Sequence, residues 1–271
     1  MPDNCQAGVK SILDFARAKR EERPIVILAA YDALMARLLA ASEVDAILVG
    51  DSAAMVVHGF PSTIHATVEM MCVHTAAVRR GAPTAVVIAD MPFLSVRQGR
   101  EEAVRAAGAL MQAGATAVKI EGVAGHEDII AHLVESGIPV MGHLGLTPQS
   151  VHQLGGFRLQ GRTADAAARL TTEAHTLEKS GAFALVLECV PAALAADVSR
   201  ALAIPAIGIG AGPDTDGQVL VLADLLGLDA EFRPRFARRY LEGHEAVLGA
   251  VNAFVRDVRA ARFPAREEVL A

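Results

Sequence analysis

Five short apolar runs in this chain each lead into a residue able to do metal or proton chemistry. AILVG leads into Asp51-Ser52, AVVIA into Asp90, AV-Lys119-I into Glu121, PVMG into His143, and ALVL into Glu188. A strand buried on both faces of a parallel sheet reads as such a run between turn signals. Three more candidates, 25–30, 204–209 and 218–222, bring the number to eight, beside 46–50, 84–89, 116–120, 138–141 and 183–187. Between them lie segments with helical period, at about 32–42, 67–80, 99–113, 126–136, 163–180 and 191–201. Strand–helix alternation on this scale predicts a parallel sheet, and eight units favour a closed barrel over an open sheet.

The expected fold is an α/β (β/α)8 TIM barrel with an N-terminal helix over about 8–20 and extra C-terminal helices. It is expected as a single domain, with the barrel at roughly 24–227 and a C-terminal extension at roughly 228–271. A length of 271 residues suits one such barrel, and 52% hydrophobic residues supply a large aliphatic core. Asp32, Thr67 and Thr163 stand where helix N-caps are needed. The loop at 51–66 and the stretch GLTPQSVHQLGGFRLQGR read as loops, the second with a short helix. The tail carries Arg233, Arg235, Arg238 and Arg239, then a helical pattern over about 245–262. Those arginines suit a solvated face, a subunit contact or a site for an anionic tail.

Composition excludes several function classes. The chain has no Trp, few aromatic residues and a net charge of −6, which argues against nucleic-acid binding. Its most apolar early segment, PIVILAAYDALMARLLAA, is broken by Asp32 and Arg37, so no membrane span is expected. Cys5, Cys72 and Cys189 are an odd number with no CxxC spacing, and no signal-peptide pattern opens the sequence. Reduced thiols in a cytoplasmic setting are expected. Cys189 follows Glu188 and would face the opposite side of a strand, which suits packing better than nucleophilic chemistry.

In a (β/α)8 barrel the carboxyl ends of all strands meet on one face, where catalytic groups collect. Residues spread from Asp51 to Glu188 would therefore converge. A single acid at a strand end is more often a cap or turn residue, but three on neighbouring strands suit a hard divalent cation such as Mg²⁺. Asp51, Asp90 and Glu121 are the metal candidates. Zinc is less suited, because no Cys/His set has the usual spacing. Lys119 and Glu121 are two apart on one strand and share a face. They suit either a structural ion pair or a division of labour, with Lys119 on a substrate carboxylate and Glu121 supporting the metal. Ser52 can donate to the Asp51 carboxylate. Glu188, after an apolar run, suits a general base or a buried acid paired with His143 or Lys119. His143 suits a donor to substrate or a member of the core network. GIGAGPDTDG lacks the pattern of a dinucleotide or P-loop site and reads as a wall of the mouth. Together these groups suit a metal holding a small 2-oxo acid while a base removes the proton next to its carbonyl.

At these residues the chain resembles the ketopantoate hydroxymethyltransferase family. The resemblance rests on VGDS (49–52), HTAAVRRGAP (74–83), ADMPF (89–93), VKIEG (118–122) and GIPVMGHLGLTPQSVHQLGGFRLQGR (137–162). LECVPAALA (187–195), IGIGAGPDTDGQVLV (207–221) and FRPRFARRY (232–240) extend it, so that it covers roughly 8–262. The resemblance implies Mg²⁺ near Asp51, Asp90 and Glu121, the 2-oxo acid held by Ser52, Asp90 and Lys119, and Glu188 as proton acceptor. It implies transfer of a one-carbon unit from 5,10-methylenetetrahydrofolate to 3-methyl-2-oxobutanoate, giving 2-dehydropantoate for pantothenate and coenzyme A. It also implies a homo-oligomer, commonly a decamer, with small-molecule substrates as its other partners. The sequence departs from the family pattern in and after the 51–66 loop. Ala53-Ala54-Met55 stands for Leu-Gly-Met, Met70 for an acid, and Pro61 to His65 for Asp-Ser-Thr-Leu-Pro. Two other readings compete. One is a metal-dependent 2-oxo acid lyase of the isocitrate lyase/phosphonopyruvate mutase type, for which no KKCGH-like segment is present. The other is a non-catalytic paralogue, which would be expected to lack a metal or base residue.

Overall fold

A computed structural model of the chain describes residues 11–269. The chain divides into two compact units, 1–220 and 221–271. Cys5 and the first part of the expected N-terminal helix, with Val9, lie outside the described residues. The described part of that helix is α1, Leu13–Arg20. In chain order there follow β1 (Ile25–Ala29), α2 (Ala33–Ala40), β2 (Ala46–Val49), α3 (Ala53–Val56), α4 (Val68–Gly81) and β3 (Val86–Asp90). Next come α5 (Arg100–Gln112), β4 (Ala117–Glu121), α6 (Glu127–Glu135), β5 (Val140–Gly145) and α7 (Val151–Leu154). The first unit continues through α8 (Ala164–Lys179), β6 (Ala184–Glu188), α9 (Ala192–Ala201) and β7 (Ala206–Ile209) into β8 (Gly217–Val221).

The eight strands close in sequence order into a parallel barrel. Strands β2 and β3 are buried along their whole length, as the apolar runs require. Helix starts follow capping chemistry. The Asp32 side chain accepts from the backbone N–H of Leu34 and Met35, Thr67 from Met70, and Thr163 from Ala166. At the amino end of the barrel, α1 buries Phe15 edge-on against Phe183, with ring centroids 5.2 Å apart. Lys19 Nζ donates to the carbonyls of Ser199 and Ile204 and to Asp216 Oδ2. That anchors α1 to the connections entering β7 and β8.

The structure corrects the expected bounds in two places. Strand five was expected at 138–141 but runs Val140–Gly145, so His143 sits within the strand. Pairing decides this: Glu121 stands opposite His143, and Gly145 opposite Glu188. The glycines and the histidine conceal the strand from an apolar-run criterion. The 51–66 loop holds α3 and a 3₁₀ turn at Thr63–His65. Ala54 lies buried inside α3 and is not among the residues with positive φ, so the exchange of glycine for alanine carries no backbone strain there.

The second unit contains α10 (Leu222–Leu225) and α11 (Gly243–Arg259). Within it, Arg239 donates to the carbonyls of Asp229 and Phe232 and pairs with Glu242. Arg238 lies 5.9 Å from the centre of the Tyr240 ring.

Candidate active site at the barrel mouth

Register places the polar strand ends side by side. Asp90 on β3 stands opposite Lys119 on β4, and Glu121 on β4 opposite His143 on β5. Side chains on alternate residues of a strand share a face, so Lys119 and Glu121 project together. Lys119 Nζ lies 3.0 Å from Asp90 Oδ1 and 3.2 Å from His143 Nδ1. His143 in turn reaches two acids, with Nδ1 3.5 Å from Glu121 Oε1 and Nε2 3.2 Å from Glu188 Oε2. The second contact lies off the line of a well-formed hydrogen bond. Asp51 joins through its backbone, donating to Asp90 Oδ2 at 3.0 Å. The structure thus brings Asp51, Asp90, Lys119, Glu121, His143 and Glu188 into one network, in which Lys119 pairs with Asp90 rather than with Glu121 and Glu188 meets His143.

The electrostatics follow from this crowding. Burial, then the neighbouring Asp90 and Glu121, hold the Asp51 carboxyl well above its ordinary value, against Lys119 and Gln149. Burial works against the charge on Lys119, but Asp90, Glu121 and Asp51 outweigh it and keep the ammonium protonated. Burial and Lys119 also oppose charging of His143, yet the facing Glu121 and Glu188 carboxylates push it up to about 9. The Glu188 side chain is 16% exposed against 4% for Asp90 and 5% for Glu121. Of these three carboxylates it is the one most open to an incoming molecule.

Three residues enter that sequence reasoning missed. Gln149, in the turn after β5, donates from Nε2 to Asp51 Oδ2 at 2.8 Å and to the Met91 carbonyl. Its backbone N–H donates to Glu121 Oε2 at 3.0 Å. One residue therefore spans two of the three candidate metal acids. Tyr31, just after β1, shares a hydrogen bond with Ser52 Oγ at 2.8 Å. Ser52 was expected to donate to Asp51; its partner here is the Tyr31 hydroxyl. His74 on α4 holds the Tyr31 carbonyl through Nδ1 at 2.7 Å and meets His58 through Nε2. None has a local signature in the sequence: an amide, a phenol and a helical histidine are ordinary residues until topology assembles them.

Two backbone features tighten the mouth. A Cβ on Gly145, at φ +94°, would fall 2.2 Å from the Glu188 carbonyl oxygen, so glycine is required where β5 passes the candidate base. Cys189 adopts φ +47°, a conformation uncommon for a residue with a Cβ, directly after Glu188. Burial and Glu188 push its thiol up to about 11, which leaves little thiolate at neutral pH and agrees with a packing role.

Fold and site together define a class: a (β/α)8 barrel that gathers carboxylates, a lysine and a histidine at the carboxyl ends of its strands, the face where barrel enzymes place their active sites. The family model described as ketopantoate hydroxymethyltransferase matches residues 10–266. The chain is 50% identical over 260 residues to the 3-methyl-2-oxobutanoate hydroxymethyltransferase of Bdellovibrio bacteriovorus, covering 96% of this chain and 99% of that one. It is 49% identical over 257 residues to the enzyme of the same name from Legionella pneumophila, covering 94% and 98%. The chain belongs to the ketopantoate hydroxymethyltransferase family, and is a transferase. Among solved structures it is similar to phosphonopyruvate hydrolase in complex with oxalate and Mg²⁺, with TM-score 0.63, 13% identity and coverage of 97% and 92%. It is likewise similar to 2,3-dimethylmalate lyase, with TM-score 0.58, 19% identity and coverage of 94% and 100%. At those identities the likeness concerns the barrel, whereas the family match decides between transferase and lyase.

Proposed function

We propose that this enzyme transfers a hydroxymethyl group from 5,10-methylenetetrahydrofolate to 3-methyl-2-oxobutanoate, giving 2-dehydropantoate for pantothenate and coenzyme A synthesis. The observation that carries the reading is the His143–Glu188 contact inside a network of acids and one lysine. It sets a solvent-accessible carboxylate beside groups suited to hold a 2-oxo acid.

The residues fit a hard divalent cation such as Mg²⁺. Glu121 Oε1 is buried yet accepts no well-formed hydrogen bond. Four carboxylates, on Asp51, Asp90, Glu121 and Glu188, meet two cationic side chains, on Lys119 and His143. Among the described residues no three His, Cys, Asp or Glu side chains form a ready ligand cage. That suits an ion held through Asp51, Asp90 and Glu121 partly by way of water, as Mg²⁺ favours. The chemistry such a cation supplies when bound is Lewis-acid polarisation of the keto oxygen.

The chain's own groups do the rest. Lys119, kept cationic by its acids, pairs with the substrate carboxylate, while Ser52 and Asp90 orient the 2-oxo acid. Glu188 takes the C3 proton, and the C–H electron pair moves into the C2–C3 bond as the keto oxygen gains charge. His143 positions Glu188 through its Nε2 contact and is itself flanked by Glu121 at Nδ1. Water releases the one-carbon unit: both C–N bonds of the methylene break, N5 and N10 of tetrahydrofolate keep the electron pairs and take the two water protons, and the water oxygen stays on the carbon as formaldehyde. C3 then bonds to that carbon, and its oxygen takes the proton held by Glu188 to become the hydroxyl.

The same reading extends to assembly and setting. Helix α11 exposes Val247, Leu248, Val251, Phe254 and Val258, spaced to form one apolar stripe. Such a stripe supports a homo-oligomer, with the family's decamer as the expected size, testable by light scattering. No helix among the described residues is long and apolar enough to cross a membrane. A cytoplasmic setting fits the unpaired Cys72 and Cys189.

The test is deuterium exchange at C3 of 3-methyl-2-oxobutanoate, followed by NMR with Mg²⁺ and without folate. Metal-dependent exchange is expected. Its absence from folded protein that binds Mg²⁺ would overturn the assignment of substrate and base.

A further inference from the structure

A cavity of about 320 Å³ opens beside the mouth, between the loop after β2 and the loop after β5. Ser62 and His65 line one side, and His152, Gly155, Gly156 and Phe157 the other. Both loops leave strand ends that carry site residues: Asp51 follows β2, and His143 lies on β5. The second loop is also bonded to the site, because Gln149, two residues before Val151, holds Asp51 and Glu121. Cavity and catalytic network therefore share a wall.

The lining has a definite chemistry. The His65 ring lies flat on Phe60, with centroids 4.9 Å apart and planes inclined by 5°, forming a preassembled platform. Phe157 lines the other side and is 58% exposed, an aromatic surface left to water in this state. The lining includes two imidazoles and the Ser62 hydroxyl, and no carboxylate. Arg158 brings its guanidinium to 3.9 Å from where a Cβ of Gly155 would stand. Flat walls, hydrogen-bonding edges and a cationic rim select a planar heteroaromatic ring bearing an anionic tail. The volume is at the low end for small-molecule pockets, about 300–1,000 Å³, enough for a fused ring system and more than a five-carbon 2-oxo acid needs.

We propose that this cavity docks the pteridine ring of the one-carbon donor between Phe157 and the Phe60–His65 platform, with the donor's glutamyl carboxylates toward Arg158. The inference rests on the proposed function, since it names the site for that reaction's co-substrate. It makes the loop in which this sequence departs from its family pattern, at Pro61 to His65, a determinant of donor binding.

The experiment separates the two claims. Calorimetric binding of 5-formyltetrahydrofolate, a stable analogue of the donor, is compared in the unaltered enzyme, His65→Ala, His65→Phe and Phe157→Ala. Folate-free, Mg²⁺-dependent C3 exchange is measured on the same samples. His65→Ala and Phe157→Ala are expected to weaken folate binding by about tenfold or more, the scale of one lost aromatic contact. KM for the donor should rise in parallel while C3 exchange persists, and His65→Phe should retain the platform and most of the affinity. Unchanged folate affinity in both alanine variants, with exchange intact, would overturn the cavity assignment while leaving the proposed function standing. Loss of exchange along with folate binding would overturn it too, by showing that these loops serve the 2-oxo acid site. Absence of exchange in the unaltered enzyme would sink the proposed function itself, and the cavity assignment with it.

Discussion

Asp51, buried, and Asp224, half-buried, are both acids held above the ordinary carboxylate range, and it is above all their company that distinguishes them. Asp51 is raised by burial, then by Asp90 and Glu121, while Lys119 and Gln149 pull the other way. Those partners come from the ends of β3 and β4 and the turn after β5. Asp224 is pushed up to about 6 by burial and by Asp229, opposed by Arg239. Its partners lie within fifteen positions along the same tail. A displaced carboxyl therefore reports burial and crowding, which any fold can produce locally. Convergence of ionisable groups from distant strand ends is the stronger mark of a site, because the barrel's register has to be spent on it.

The contrast breaks first at Glu188. Glu188→Gln should keep the fold and 2-oxo acid binding but slow C3 exchange by about 10²–10⁴-fold, the usual worth of a general base. Exchange at the unaltered rate would move the base elsewhere. Asp90→Ala comes next, because it removes the partner of a lysine whose side chain is 5% exposed. Breaking such a buried pair costs about 3–5 kcal/mol and should lower the melting temperature by roughly 10 °C. It should also abolish Mg²⁺-dependent binding of the 2-oxo acid. A variant with unaltered Mg²⁺ dependence would remove Asp90 from the metal site.

Why the barrel and most of its mouth were legible follows from the same geometry. A parallel barrel buries both faces of its strands, so each becomes an apolar run, and the first polar residue beyond it falls at the mouth. Period two placed Lys119 and Glu121 on one face without any structure. The pattern fails at β5, where Gly142, His143 and Gly145 interrupt the run although pairing with β6 continues to Glu188. It also fails for α3 and for Gln149, since four-residue helices and amide bridges are set by tertiary contacts rather than by local pattern. The left-handed Cys189 has no signal in its residue type either, since a residue with a Cβ rarely takes that conformation.

Gln149 gives a finer test of how the mouth is held together. Gln149→Ala removes the amide bonds to Asp51 and Met91 but keeps the backbone bond to Glu121. The expected loss is about 1–2 kcal/mol of stability or binding, the value of a side-chain hydrogen bond to a charged group. It should appear as a few-fold weaker Mg²⁺ dependence of C3 exchange. Identical titrations would make Gln149 a bystander.

The smallest effect is expected at Asp224, where no catalysis is at stake. Its folded pKa of about 6 lies above the unfolded value near 4, so ionisation is harder in the folded state than in the unfolded chain. The folded state therefore carries no penalty from this group below about pH 4. The penalty grows as pH rises from about 4 to about 6, and is complete above that. Asp224→Asn keeps the shape and removes the charge. The stability of the variant relative to the unaltered protein should rise across that window and level off above it, while C3 exchange stays unchanged. Parallel melting-temperature profiles from pH 4 to 7 would mean that Asp224 is solvated in solution. A loss of exchange in this variant would erase the distinction between a crowded acid in the tail and a convergent one at the barrel mouth.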